Sequence, residues 1–144
     1  MILTLKVKLA GGMYVSADWQ GEIEIDENDT LEHLHFAIQD AVNFDNDHMY
    51  EFFIAKTPRS RDREVFDLDG DEGTPLAEQI IGELFPLPEK MSIYYLFDYG
   101  DEWMFKILKS RKAAHEAVKG IQYPRLVAQT GVAPEQYPGY DEEE

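Results

Sequence analysis

The chain has 144 residues, 44% of them hydrophobic and 12% aromatic, with no cysteine and a net charge of −16. That length and apolar content fit one folded domain and exclude a wholly disordered chain. The missing cysteine excludes disulfides, thiol nucleophiles and Cys-ligated zinc, and the charge repels phosphates and opposes binding to RNA or DNA while suiting cations or a basic protein partner.

The N-terminal Met1–Leu9 segment alternates, with Leu3, Leu5, Val7 and Leu9 on one face and Thr4, Lys6 and Lys8 on the other. This is the period of a half-buried strand, and it lacks a signal-peptide layout. No apolar run is long enough to cross a membrane as a helix, so a cytoplasmic protein is expected. Gly11-Gly12 breaks the strand, and Glu22–Asp26 alternates again as a second one.

Asp29, with Glu32 three residues on, has the form of a helix N-cap and capping box. Leu31, Leu34, Ile38, Ala41 and Val42 recur at helical spacing and form its core stripe. Turn formers at Phe44–Asp47 end it, and aromatic-rich Met49–Ala55 reads as the next strand. Strand, strand, helix, strand in this order resembles the first half of a β-grasp roll.

Residues 56–63 form a basic loop, and Glu64–Asp67 a short edge strand. Thr74-Pro75 suits a helix start, followed by a buried face of Leu76, Ile80, Ile81 and Leu84 that Pro86 and Pro88 terminate. Met91–Tyr99 has no polar face and belongs in the middle of a sheet, with Trp103–Leu108 returning as its hairpin partner. Ser110–Lys119 is expected to form a short exposed helix, and the chain beyond it an irregular arm ending in a frayed acidic tail, Asp141–Glu144. The fold class expected is α+β: a single compact domain over residues 1–120, with a mixed or antiparallel sheet of five to six strands and two main helices, and an arm over 121–144 belonging to the same domain.

Three constellations can carry chemistry. The first is a histidine set, His33, His35 and His48. His35 falls within the core stripe, where a hydrogen-bonded core histidine is the plainer reading; His33 faces the opposite, solvent side. His48 sits at a helix–strand junction and is the best ligand among them, imidazole being the group that titrates near neutral pH. Asp98 and Asp101 flank a tight turn beside Tyr99 and Trp103. With His48 they make a candidate divalent-metal set, in a cleft formed by His35, His48, Asp98, Asp101 and Trp103. The plainer reading is a turn in which aspartate accepts backbone amides. Asp67, Asp69, Asp71 and Glu78 take the spacing of a calcium loop, but Glu72 stands where its sharp turn needs glycine, so a flexible acidic loop explains them better. Two basic clusters, Lys56, Arg59, Arg61 and Arg63 and then Lys106, Lys109, Arg111 and Lys112, read as solvated segments or local anion sites.

Taken in order, His33-Leu34-His35 with Ile38-Gln39, His48-Met49-Tyr50 with Phe52, Tyr95–Trp103, Tyr123-Pro124-Arg125 and Pro134-Glu135 resemble the plasmid pRiA ORF-three-like family. That family includes insertion-element passenger proteins labelled TnpR, and the resemblance implies a compact α+β domain without a settled activity. Members often carry a histidine two residues after the tryptophan and a Cys-Pro-Pro-Glu-Asp-like stretch near the end. Here these positions hold Phe105 and Ala133-Pro134-Glu135-Gln136, and many members continue further. The departures favour a binding or structural role: an accessory module that recognises a protein partner and needs no cofactor. The alternatives are a metal-dependent hydrolase or nuclease using His48, Asp98 and Asp101, and a nucleic-acid-binding transposition accessory protein.

Overall fold

The computed structural model describes residues 1–12, 18–70 and 73–136. Among these described residues, seven strands and one helix are laid out in chain order as β1 (Ile2–Gly11), β2 (Trp19–Asp26), α1 (Leu31–Val42), β3 (Tyr50–Ala55), β4 (Glu64–Phe66), β5 (Ser92–Phe97), β6 (Trp103–Lys109) and β7 (Arg125–Gly131), with a 3-10 turn at Ile81–Leu84. The strands form one sheet in the order β4-β3-β5-β6-β1-β2-β7. Every neighbouring pair is antiparallel.

The expected α+β roll of five to six strands and two helices is therefore corrected to a seven-stranded antiparallel sheet with one helix. The β-grasp likeness fails because β3 does not lie beside β1. It pairs with β4 and β5, and β6 is the strand that borders β1.

Strand alternation builds the core. The inward rows run Phe66–Phe52–Tyr95–Phe105–Leu9 and Ile54–Ile93–Ile107–Val7 across four or five strands. α1 lays Leu31, Leu34, Ile38 and Val42 onto them, all at or below 2% exposure. Its N-cap is Thr30, one residue later than expected, whose hydroxyl accepts from the His33 amide. Asp29 instead accepts from the Thr30 amide and pairs with the His33 ring.

The second expected helix fails because its amides are used elsewhere. Leu31 donates to the Gln79 carbonyl, while Ile81 and Gly82 donate to Asp29 and Glu27. The 74–84 segment thus staples the start of α1 instead of closing i→i−4 bonds, which a short helix holds only marginally. Leu76 and Ile81 are still buried as expected.

Residues 110–119 form no helix either, since Ile2 and His115 exchange both backbone hydrogen bonds. The arm after residue 120 contains β7, which completes the sheet on β2. β7 was hidden because six of its seven residues are exposed, so it carries little alternation. Of the calcium-loop positions, Asp71 and Glu72 lie outside the described residues, as does the tail Asp141–Glu144. Asp67 accepts the Gly70 amide at 2.6 Å, an ordinary aspartate turn.

Trp19 folds over Gly21, where an added Cβ would meet two indole carbons at 2.8 Å and Leu126 Cδ1 at 3.0 Å. The glycine leaves the gap that lets Trp19 Nε1 donate to Gln129 on β7. Gly21→Ala is expected to cost about 1–3 kcal/mol by forcing the ring out of place. Equal urea midpoints for this variant and the parent would contradict that packing.

Candidate functional site

The five residues of the expected cleft divide into two environments. His35 and Trp103 belong to the core, both at 0% exposure. His48, Asp98 and Asp101 stand at the sheet end where β5 turns into β6.

His35 lies flat on Tyr50, with ring centroids 3.4 Å apart and planes within 1°. Its Nδ1 meets the Tyr95 hydroxyl and its Nε2 meets Asn46 Oδ1, each at 2.5 Å. Gln39 donates to the same Tyr95 hydroxyl, and its carbonyl accepts from the Asn46 amide. One assignment satisfies every member: His35 donates from Nε2 to Asn46, Tyr95 donates to Nδ1, and Gln39 donates to Tyr95. Burial drives the His35 pKa down to about 4, with the Asn46 hydrogen bond opposing the shift. Burial likewise raises Tyr95 far above its ordinary value. Both groups are neutral at neutral pH and tie α1 to β5.

Trp103 packs against Phe44, with ring centroids 5.1 Å apart, and pairs with Phe97 across the hairpin. It is part of the core and not a wall of an open cleft. Its Nε1 is buried without a hydrogen-bond partner among the described residues.

Asp98 is the knot of the turn. It adopts a left-handed backbone (φ 64°), a region that aspartate tolerates better than most residues. Its Oδ1 accepts the Gly100 and Asp101 amides at 3.1 and 3.2 Å. Its Oδ2 lies 3.4 Å from His48 Nε2, which also approaches Asp47 at 3.6 Å. Desolvation and the adjacent Asp98 charge raise the Asp101 pKa, and His48 partly offsets them. The structure thus brings His48 beside Asp98, and the turn in which aspartate accepts backbone amides is present. Among the described residues, however, no three His, Asp or Glu side chains converge as ligands for a metal ion.

Asp98→Ala leaves two turn amides without their acceptor and places alanine at positive φ. It is expected to cost about 1–3 kcal/mol. Asp98→Asn keeps the amide acceptor and most of the stability. Denaturant midpoints that rank the two variants the other way round would overturn the turn-knot role.

A second feature escaped the sequence reading. A groove of about 510 Å³ runs between α1 and residues 123–124, lined by Asp29, His33, Phe36, Ala37, Asp40, Tyr123 and Pro124. Phe36 is 43% exposed on what should be the polar face of α1. That misplaced aromatic was the available signal. Arg125 lies 5.7 Å from the Tyr123 ring and is held by Glu24 at 2.8 Å. Among the described residues no lysine or arginine lines the groove.

Residues 1–142 match the family described as "Plasmid pRiA4b ORF-3-like protein". The chain belongs to that family. A crystal structure of a protein of unknown function from Methanosarcina mazei Go1 is similar to it at 24% identity, covering 92% of this chain and 71% of that one with a TM-score of 0.74. That likeness shows the fold. No curated protein matches the chain. In this pRiA4b ORF-3-like protein, Phe105 points into the core, 6.3 Å from Trp19 and 5.7 Å from Tyr95. A histidine at that position would be a core group on the helix-covered face. The Tyr123-Pro124 pair of the family pattern, by contrast, lines the groove. Among the described residues no helix is long and apolar enough to cross a membrane.

Proposed function

We propose that this protein is a non-catalytic binding module that holds a basic, apolar-bearing segment of a protein partner against α1, in an accessory role within a plasmid or mobile element. One observation carries the reading: the α1 groove combines a half-exposed Phe36 and the Tyr123-Pro124 surface with Asp29, paired with His33, and Asp40, and among the described residues no lysine or arginine lines it. An apolar side chain of the partner would cover Phe36, and its lysines or arginines would meet the acidic rim. The net charge of −16 adds long-range attraction for such a partner and slows the approach of an acidic one. His35, the most strongly shifted histidine, is sealed in the core and unavailable to a substrate.

The test is fluorescence anisotropy with three labelled peptides of equal length and equal apolar content, basic, neutral and acidic. The basic peptide is expected to bind tightest. A Phe36→Ser, Asp40→Asn double variant should weaken it by about tenfold or more, equivalent to about 1.4 kcal/mol. Equal binding of all three peptides, or no loss in the variant, would overturn the reading.

A further inference from the structure

The sheet face turned away from α1 carries an arrangement that the partner groove does not use. The register places Val65, Phe53, Tyr94, Lys106 and Lys8 in one transverse row across β4, β3, β5, β6 and β1. Lys6 lies two residues before Lys8 on the same face, opposite Leu108. Lys8 and Lys106 are thus directly opposed, an arrangement of like charges that costs stability. None of Lys6, Lys8, Lys106, Arg59 and Arg63 forms an ion pair among the described residues. Glu22 stands opposite Lys6 on β2, whereas Lys8 has Gln20 on one side and Lys106 on the other, so Lys8 and Lys106 form the like-charged part of the row.

Beside the row lies a cleft of about 390 Å³, floored by Leu96 and Met104 and bounded by Pro58, Arg59, Arg63, Glu102 and the Ala10–Gly12 end of β1. Arg63 is fixed there in advance. Its Nε donates to the Ser60 carbonyl at 2.7 Å, its Nη2 donates to the Pro58 carbonyl at 3.2 Å, and its guanidinium sits 4.1 Å from the Phe53 ring centroid. Arg59 is exposed beside it. Lys106 and Lys8 lie two residues along their strands from Met104 and Ala10, about 7 Å from the floor and within reach of their long side chains. The cations therefore flank an apolar floor, with Phe53 and Lys8 separated by three strand spacings, about 14 Å.

We propose that this cleft binds a small phosphate-bearing ligand with a planar ring, of the nucleoside-phosphate class. The ring would rest on Leu96 and Met104 against the Arg63 guanidinium, a plane suited to stacking. The phosphates would lie toward Lys106, Lys8 and Arg59, which would relieve the Lys8–Lys106 repulsion. The carboxylate of Glu102 is placed to accept from ring or sugar donors, and Glu51, opposite Leu96, adds a second carboxylate near the floor. The cleft volume lies within the usual range for small-molecule sites. Phe53 and Tyr94 are buried at 0% and 3% exposure, so no exposed aromatic row exists for successive bases of a nucleic-acid strand.

The test is calorimetric titration of the whole chain at low ionic strength with adenosine triphosphate, adenosine, inorganic tripolyphosphate, an oligothymidylate and an acidic peptide. Adenosine triphosphate is expected to bind at least tenfold tighter than adenosine or tripolyphosphate alone, because each supplies only half of the contacts. Arg59→Gln and Lys106→Gln should each weaken it by about tenfold. Both variants should stay folded, and Lys106→Gln should melt no lower than the parent, so lost binding cannot be ascribed to unfolding. Three results would overturn the proposal: no binding of the nucleotide, tripolyphosphate binding as tightly as the nucleotide, or tighter binding of the oligothymidylate or acidic peptide. Unchanged nucleotide affinity in both variants would overturn it equally.

Discussion

Lowering the pH from 7 to 5 is expected to remove about 2 kcal/mol of stability through His35 alone. In the folded chain its pKa is about 4, against an ordinary value of 6.5. Below pH 6.5 the unfolded chain takes up a proton that the folded chain refuses, because protonation would place a charge between Tyr50 and Tyr95 and turn Nδ1 from acceptor to donor. The contribution is fully present above pH 6.5, falls as the pH drops, and is exhausted near pH 4. Other groups move differently. Hydrogen bonds that the His115 ring donates to the Glu116 carbonyl and to Glu24 raise its pKa, so its contribution is present at low pH and is lost as the pH rises through its folded pKa. Burial raises Glu24, but Arg125 and His115 more than offset this and leave its pKa lowered from the ordinary 4.5, so its contribution is present above that value and is lost as the pH falls further, outside the interval from pH 7 to 5. Urea unfolding at pH 7, 6 and 5 of the parent and His35→Gln isolates the effect. The parent should lose about 2 kcal/mol more than the variant over that interval. Parallel pH profiles would contradict the sealed, neutral imidazole.

Trp103→Ala is expected to cost about 3–5 kcal/mol, enough to unfold much of a marginally stable chain. The indole is fully buried against Phe44 and Phe97, so truncation leaves a cavity in the middle of the β5–β6 hairpin. Trp103→Phe should cost much less. It keeps an aromatic ring against Phe44 and removes an N–H that is buried without a partner, a group whose desolvation costs about 1–3 kcal/mol. Thermal and urea melts of the two variants check this directly. A small loss in Trp103→Ala would mean that the indole forms the wall of an open cleft, as the sequence first suggested.

These outcomes track what local pattern can and cannot encode. β1, β2, β3, β5 and β6 were legible because each buries one face or both, and alternation or continuous apolarity records that burial. α1 was legible from its stripe. The 74–84 segment misled because Leu76, Ile80, Ile81 and Leu84 have helical spacing, yet spacing does not reveal that the amides of residues 81 and 82 bond to residues 27 and 29. β7 was invisible because an exposed edge strand has no apolar period to betray it.

The candidate site shows the same division. His48 and Asp98 were found because both sit at strand ends on one side of the sheet, and β3 pairs with β5 in a register that brings Tyr50 opposite Phe97. His35 was correctly suspected as a core histidine, but its partners Tyr95 and Asn46 are 60 and 11 residues away and no spacing rule joins them. The groove needed the meeting of Phe36 with Tyr123. Each residue was visible separately, one as an aromatic on a polar helix face and the other inside the family pattern.

The most direct test of the partner-binding account is a chemical-shift titration of isotope-labelled protein with the basic peptide. The account predicts saturable shifts concentrated on Asp29–Asp40 and residues 123–125, with His48, Asp98 and Asp101 unaffected. Shifts that are absent, or that centre on the β5–β6 turn and spare α1, would contradict it.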